Sequence, residues 1–240
     1  MKTIKLIIFV TFIGVLTQSC HKREFWGIRG KGESITETRN IKGFSAISLS
    51  GSPDVTYTQD SVYKVEVTGQ ENILDLLVTE VEGSELKIYF RKNIWEHRSV
   101  KLVIHSPQMN GMKVSGSGNI RSSKGINTGS MNLRVSGSGN ISLPSLVASG
   151  LDVTISGSGN TDVLGGKVNT AHFVVSGSGN INAEHIESVG CTAKVSGSGN
   201  IRLHATETLN VTISGSGDVR YKGSPAIDVN ISGSGKLRRI

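Results

Sequence analysis

The sequence predicts an all-β fold, a parallel β-solenoid with about one coil for every 18 to 21 residues. The first observation is a motif, VSGSGNI at residues 135–141. It is one of seven near-identical copies, which are separated by steps of 21, 20, 20, 20, 18 and 18 residues. The second is an alternation of apolar and polar side chains with a period of two, which is typical of β-strands. A repeat of this length cannot close a core alone, but stacked repeats bury one continuous apolar column.

The first residue of each motif copy defines a reference column, column zero, on which the repeats can be aligned. The side chains two residues before column zero and six residues after it are mostly apolar. The side chains in the odd-numbered columns are mostly polar. We therefore expect the even columns to face the core and the odd columns to face solvent. Column zero holds Val114, Val135, Ile155, Val175, Val195, Ile213 and Ile231.

The other motif positions have an architectural interpretation. Both glycines occupy even columns, where we expect the backbone to bend at an edge of the coil and the walls to approach closely. Both serines then face outward as two stacked rows. The residue after the second glycine tolerates a left-handed turn, and its amide can hydrogen-bond to the same residue of the next coil. The predicted ladder consists of Asn119, Asn140, Asn160, Asn180, Asn200 and Asp218.

The chain begins with the features of a secretory signal peptide at residues 1–19, where lysines precede an apolar run too short to span a bilayer comfortably. Cys20 follows directly and resembles the lipidated first residue of a bacterial lipoprotein; an ordinary cleaved signal is the alternative. Residues 20–40 are polar and basic without alternation, so we expect a flexible lipidated tether. Cys191 falls in an inward column, where we expect a buried thiol without a disulfide partner.

Alternation begins at Ile41 and divides the rest of the chain into two parts. Residues 41–108 contain charged and variable copies, which we interpret as degenerate N-terminal coils that cap the same solenoid. In this interpretation Val67 stacks in the column of Leu49, eighteen residues earlier. A separate small β-domain is the alternative. Residues 109–240 form the regular solenoid.

The last coils change the character of one outward column. Seven places after column zero they carry Arg202, Arg220 and Arg238, which should stack about 4.8 Å apart in register. Such a row can bind an anion, or it can protect the final sheet edge from pairing with another chain. Edge protection is also indicated by Lys236 in the ladder column and by Arg239 in a column that is mostly apolar earlier.

No residue pattern indicates catalysis, a cofactor or a metal site. The glycine-rich motif precedes a strand, whereas a phosphate-binding loop precedes a helix. Its Asn and its long period also differ from the Asp-bearing calcium repeats of β-rolls. The histidines share no ligand spacing, and no cluster of acids indicates a β-helix enzyme. The net charge of +7 comes from no dense basic run, so we expect no nucleic-acid partner.

The repeated motif, the lipoprotein-like start and the stretch FSAISLSGSPDV at residues 44–55 resemble the auto-transporter adhesin head GIN domain family of exported Gram-negative proteins. The resemblance implies a right-handed β-helix-like solenoid and supplies no catalytic residues. We expect a non-enzymatic outer-membrane lipoprotein, facing the periplasm or the cell surface, that contacts the membrane through Cys20. Its further expected partner is a cell-surface or matrix polysaccharide or protein. The alternative is a glycan-binding module for polysaccharide uptake or envelope sensing, and the oligomeric state stays open.

Overall fold

The computed structural model describes residues 27–240, which form a β-solenoid of about six turns. Strands make up 60% of the structure and helix 2%, which confirms the predicted all-β fold class. The predicted signal peptide at residues 1–19 and the predicted lipidation site, Cys20, lie outside the described residues. No helix of the described part is long and apolar enough to cross a bilayer.

Twenty-two strands and one short helix are formed within residues 27–240. The elements are β1 (Ile28–Arg29), β2 (Ser34–Arg39), β3 (Ala46–Leu49), β4 (Asp54–Gln59), β5 (Lys64–Gln70), α1 (Glu71–Leu74), β6 (Leu77–Glu82), β7 (Glu85–Phe90), β8 (Ile94–Glu96), β9 (Lys101–Ser106), β10 (Gly111–Val114), β11 (Asn119–Ser122), β12 (Ile126–Asn127), β13 (Ser130–Val135), β14 (Ile141–Leu143), β15 (Leu146–Ile155), β16 (Thr161–Val163), β17 (Gly166–Val175), β18 (Ile181–Val195), β19 (Ile201–Ile213), β20 (Val219–Lys222), β21 (Ala226–Ile231) and β22 (Leu237–Arg239).

The coils stack through parallel pairing in the register that the sequence predicts. On the first wall β10, β13, β15, β17, β18, β19 and β21 follow one another. Column-zero residues are partners throughout, from Val114 opposite Val135 to Ile213 opposite Ile231. On the second wall β11, β14, β16, β18, β19, β20 and β22 pair in the same way. A shorter third wall starts where β12 pairs with β15.

Alternating burial along these strands forms a single core inside the stack. Column-zero side chains from Val114 to Ile213 are at most 1% exposed, because coils on both sides and the opposite walls cover them. In the final coil Ile231 is 41% exposed, since β21 has a strand on one side only. Burial of these columns supplies most of the free energy that holds the coils together.

Residues 41–108 are continuous with the solenoid, but their coils do not follow chain order. Strand β3 pairs in parallel with β10 on one side and with β7 on the other, and β4 lies likewise between β11 and β9. The coil containing β7 and β9 is therefore the first of the stack, although β3 and β4 precede it in sequence. Strands β6 and β5 pair with the outer edges of β7 and β9, so residues 41–108 also cover this end of the core, which fits the predicted capping role.

The predicted stacking of Val67 on Leu49 is wrong. Strand β5, which contains Val67, pairs antiparallel with β9, where Val67 lies opposite Leu102. Strand β6 similarly pairs antiparallel with β7. Alternation has the same period of two in parallel and antiparallel strands, so the sequence pattern could not distinguish the two arrangements.

The expected tether differs from the structure over residues 27–40. Strand β2 pairs antiparallel with β5 along six residues, and Thr36 Oγ1 lies 2.8 Å from Thr68 Oγ1 across the pair. The Arg39 guanidinium donates to Leu77 O at 2.7 Å and to Leu74 O at 3.0 Å, which fixes β2 against α1 and β6. An edge strand held by main-chain and polar side-chain bonds needs no apolar alternation, and for this reason the sequence did not reveal it.

Candidate functional site

The corner formed by each motif copy presents the most regular surface of the molecule. Both serines donate their backbone N–H groups to the preceding coil, as Ser136 does to Val114 O at 2.9 Å and Ser138 to Gly116 O at 3.0 Å. Their side chains are exposed, so two hydroxyls per coil face solvent. We call these residues the serine ridge. The ridge consists of Ser115, Ser117, Ser136, Ser138, Ser156, Ser158, Ser176, Ser178, Ser196, Ser198, Ser214, Ser216, Ser232 and Ser234.

The motif glycines allow neighbouring coils to approach each other. A Cβ on Gly157 would lie against the backbone of Gly137, and one on Gly159 against the backbone of Gly139, well inside van der Waals contact. Neither Gly157 nor Gly159 has a positive φ, so the backbone conformation itself does not demand glycine there. The predicted close approach is therefore present, but it runs from coil to coil along the stack.

The predicted ladder residues lie one above another beside the serine ridge. The Nδ2 of Asn140 donates to Asn119 Oδ1 at 2.8 Å, and the backbone N–H of Asn140 donates to the same oxygen at 3.1 Å. The same pair of bonds continues through Asn160, Asn180 and Asn200. The expected left-handed turn is wrong, because no residue other than glycine has a positive φ within residues 27–240. The amides therefore serve coil-to-coil bonding alone.

Carboxylates stand at both ends of the ladder. The Nδ2 of Asn119 donates to Asp54 Oδ1 at 2.8 Å, so the donor end of the amide row meets a negative charge. At the other end the backbone N–H of Asp218 donates to Asn200 Oδ1 at 3.0 Å. Asp218 has no side-chain amide to donate onward, and its Oδ1 accepts the backbone N–H of Lys236 at 2.9 Å. The ladder thus spans every regular coil.

The three arginines of the outward column are in register. Arg202 lies opposite Arg220, and Arg220 lies opposite Arg238, as the sequence predicts. Nη1 of Arg202 lies 3.9 Å from Oε2 of Glu184, a partner that sequence reasoning did not assign to the row. Within residues 27–240, no carboxylate forms an ion pair with Arg220 or Arg238.

A groove of about 280 Å³ lies between the arginine row and the amide ladder. Its polar lining combines the guanidinium groups of Arg202 and Arg220 with the amides of Asn180, Asn182 and Asn200. The Oδ1 of Asn182 is buried without a hydrogen-bond partner. The two guanidinium groups make this groove a candidate site for carboxylate or phosphate groups.

The two remaining predicted residues lie at the final edge of the second wall. Arg239 follows Arg238 in β22 and donates from Nη2 to Ser224 Oγ at 2.8 Å. Lys236 is exposed and takes the place of an amide in the ladder column. On the first wall, however, β21 exposes Val229 by 46%. Charged side chains therefore lie at the free edge of the second wall, whereas the free edge of the first wall exposes apolar side chains.

Sequence reasoning missed a surface loop at the opposite end of the solenoid, residues 89–99, which we call the aromatic loop. It carries Tyr89, Phe90, Trp95 and His97, and the Trp95 side chain is 70% exposed. In the structure the first coil uses far more residues than its neighbour to turn the same corner. Its aromatics were invisible to the column alignment because the loop has no counterpart in other repeats.

The described residues contain no group of histidine, cysteine or acidic side chains that could hold a metal ion. Cys191 is 3% exposed and stacks between Ala171 and Leu209, as expected for a buried thiol. Candidate binding features are therefore the serine ridge, the arginine row and the aromatic loop.

Comparison with known proteins identifies the family. Residues 43–225 match the family model described as "Putative auto-transporter adhesin, head GIN domain". The chain belongs to this family. The head GIN domain match contains the aromatic loop, Arg202 and Arg220, whereas Lys236, Arg238 and Arg239 lie beyond it. Membership indicates an exported protein of the cell surface.

Two solved structures of bacterial proteins have the same fold. A protein of Bacteroides fragilis described as a "putative adhesin" is 28% identical, with a TM-score of 0.83, over 89% of this chain and 100% of its own. A Parabacteroides distasonis protein described as a "putative lipid binding protein" is 31% identical, with a TM-score of 0.76, over 90% of this chain and 100% of its own. No curated protein matches the sequence.

Proposed function

We propose that the protein is a non-enzymatic adhesin of the cell envelope, held in the outer membrane by a lipid on Cys20. In this proposal the solenoid presents a long polar surface to a polysaccharide of the cell surface or matrix. The observation that carries the proposal is the serine ridge, which repeats the same exposed pair of hydroxyls in every regular coil. A uniform surface of this length suits a repetitive polymer, whereas small-molecule sites are concave and few.

The arginine row indicates the charge of that polymer. Arg202 and Arg220 belong to strands that pair with a neighbouring strand on each side. They therefore do not lie at the final edge and do not protect it. They line the groove beside the ladder, where planar guanidinium groups can each bind a carboxylate or phosphate with two hydrogen bonds. Of the two roles predicted for the basic residues, anion binding is therefore assigned to Arg202 and Arg220, and edge protection to Lys236 and Arg239.

The folded position of residues 27–40 limits the distance between anchor and solenoid. Only seven residue steps separate Cys20 from Gly27, the first described residue. A fully extended chain of that length spans at most about 25 Å. The proposed lipid would thus keep the N-terminal region of the solenoid close to the bilayer, on whichever side of the outer membrane the protein faces.

Binding of purified protein to immobilised polygalacturonate, an acidic polysaccharide, tests the adhesive role. Arg202→Ala combined with Arg220→Ala should weaken binding roughly three- to tenfold, since exposed charge contacts are each worth about 0.2–1 kcal/mol. The difference should shrink as salt concentration rises. Lys167→Ala combined with Lys194→Ala removes the same charge from exposed positions in two other columns and serves as the control. Equal weakening by both pairs would show that only net charge matters, and would contradict the site.

A further inference from the structure

The aromatic loop replaces the serine corner in the first coil. Leu49 pairs with Ile88 and Asp54 pairs with Lys101, so four residues turn the corner in the second coil and twelve in the first. The additional residues project beyond the corner. They form a wall at the N-terminal end of the surface on which the serine ridge lies.

A groove of about 420 Å³ separates this wall from the first serine corners. Tyr89, Phe90 and His97 line one side, and their counterparts on the other side are Ser52 and Ser117. The rings of Phe90 and His97 are tilted against each other with centroids 5.9 Å apart. Apolar ring surface and hydroxyl groups therefore face the same space.

Gly51 and His97 both line this groove, where one keeps the floor free of a side chain and the other supplies a ring nitrogen. Gly51, on its floor, has a φ of +100°, and a Cβ there would touch the Phe90 ring at 3.6 Å. The Nδ1–H of His97 donates to Arg98 O at 2.6 Å, which leaves Nε2 as an acceptor. Lys92 and Asn93 add donors at the exposed rim.

The aromatic loop is braced from outside. Strand β8 within it pairs with β1, where Ile28 lies opposite Ile94. The backbone N–H of Arg98 donates to Gln70 Oε1 at 2.9 Å, and its guanidinium is paired with Glu33. Residues expected to be a tether thus hold the loop in place. A wall fixed in this way loses little conformational entropy when a ligand binds.

We infer that this groove binds a neutral saccharide residue. A pyranose ring has an apolar C–H face that fits an aromatic side chain and a rim of hydroxyls that fits serine, amide, imidazole and ammonium groups. Phosphate alone would make no use of the rings, and an acyl chain would make no use of the polar side. The volume falls within the usual range for small-ligand sites, about 300–1,000 Å³. Trp95 follows the groove-lining Ile94 in the chain and is exposed, so its fluorescence can report binding although the residue does not line the groove.

Titration with neutral oligosaccharides tests the inference. Cellohexaose, laminarihexaose, maltohexaose and mannohexaose are added to the purified protein in a Trp26→Phe background, in which Trp95 is the sole tryptophan. At least one of them should shift the Trp95 fluorescence saturably. In calorimetry Tyr89→Ala and His97→Ala, which truncate two side chains of the groove wall, should each weaken that binding about tenfold. Leu164→Ala, a truncation at a 50% exposed site on a distant corner, should leave it unchanged.

Two results would overturn the saccharide site: no binding of any of these sugars, or binding that survives both loop variants. Saturable binding of phosphatidylglycerol vesicles or of an unrelated peptide at Trp95, with no sugar binding, would also overturn it. The site is independent of the adhesive role proposed above. Arg202→Ala with Arg220→Ala should retain sugar binding, and His97→Ala should retain polygalacturonate binding, so the two proposals fail separately.

Discussion

Single residues determine how closely the coils of this solenoid can stack. At each motif glycine the missing side chain leaves room for the backbone of the preceding coil, as at Gly157 above Gly137. The neighbouring serines point away from this contact and are exposed. Two adjacent positions of one motif therefore tolerate substitution very differently.

Gly157→Val should lower the free energy of unfolding by about 1–3 kcal/mol or more, because the added atoms collide with the backbone of Gly137. Ser158→Val places the same side chain on the exposed neighbouring position and should cost far less. Urea unfolding of both variants checks the difference. Equal destabilisation would mean that the glycine does not mediate the coil contact.

The buried thiol gives a second test at this scale. Burial raises the pKa of Cys191 to about 12, with a hydrogen bond to Ser188 opposing the shift. The folded state therefore binds the thiol proton more tightly than the unfolded state, and the stability this contributes is present below pH 9 and lost as the pH rises above it. In a Cys20→Ala background, iodoacetamide at pH 8 should label the native protein at least on the order of a hundredfold more slowly than the urea-unfolded protein. Similar rates in both states would show that Cys191 is accessible.

At the scale of elements, near-identical repeats made the pairing of the regular coils predictable. Residues 41–108 lack such repeats, so the pairing of their strands was difficult to predict. The alignment on Val135 predicted the parallel register, since every repeat places the same residue types in the same columns. It misplaced Val67, because an antiparallel strand has the same alternation as a stacked coil. Glu184 was not assigned to Arg202, because it lies nine places after its column-zero residue and Arg202 lies seven places after its own, and the alignment compared only equal columns.

The edge strands of the last coil lead to a prediction about self-association. Lys236→Asn with Arg239→Leu leaves Arg238 as the one charged side chain of β22, while the first wall still exposes Val229. A less charged edge with free N–H and C=O groups pairs more readily with another chain, so the variant should associate more than the wild type, as measured by light scattering. Lys113→Asn with Arg134→Leu makes the same changes away from the edge. A variant that associates no more than the wild type would contradict edge protection.

At the scale of the whole molecule, the candidate sites are distributed along one solenoid. The aromatic loop lies on the first coil, the serine ridge runs along the regular coils, and the arginine row occupies the last three. The sequence predicted the second and third, because both recur with the repeat period. It could not predict the first, because the aromatics come together only where a long corner folds back beside Gly51.

Attachment of living cells measures most directly whether an anchored solenoid acts as an adhesin. Cells producing the wild type, Cys20→Ala or Arg202→Ala with Arg220→Ala are compared for membrane fractionation and for attachment to polygalacturonate-coated surfaces. Cys20→Ala should move the protein to the soluble fraction and abolish its contribution to attachment, because no lipid holds it. The arginine variant should stay in the membrane fraction and attach less well at low salt. Unchanged membrane association and attachment with Cys20→Ala would contradict the proposed function.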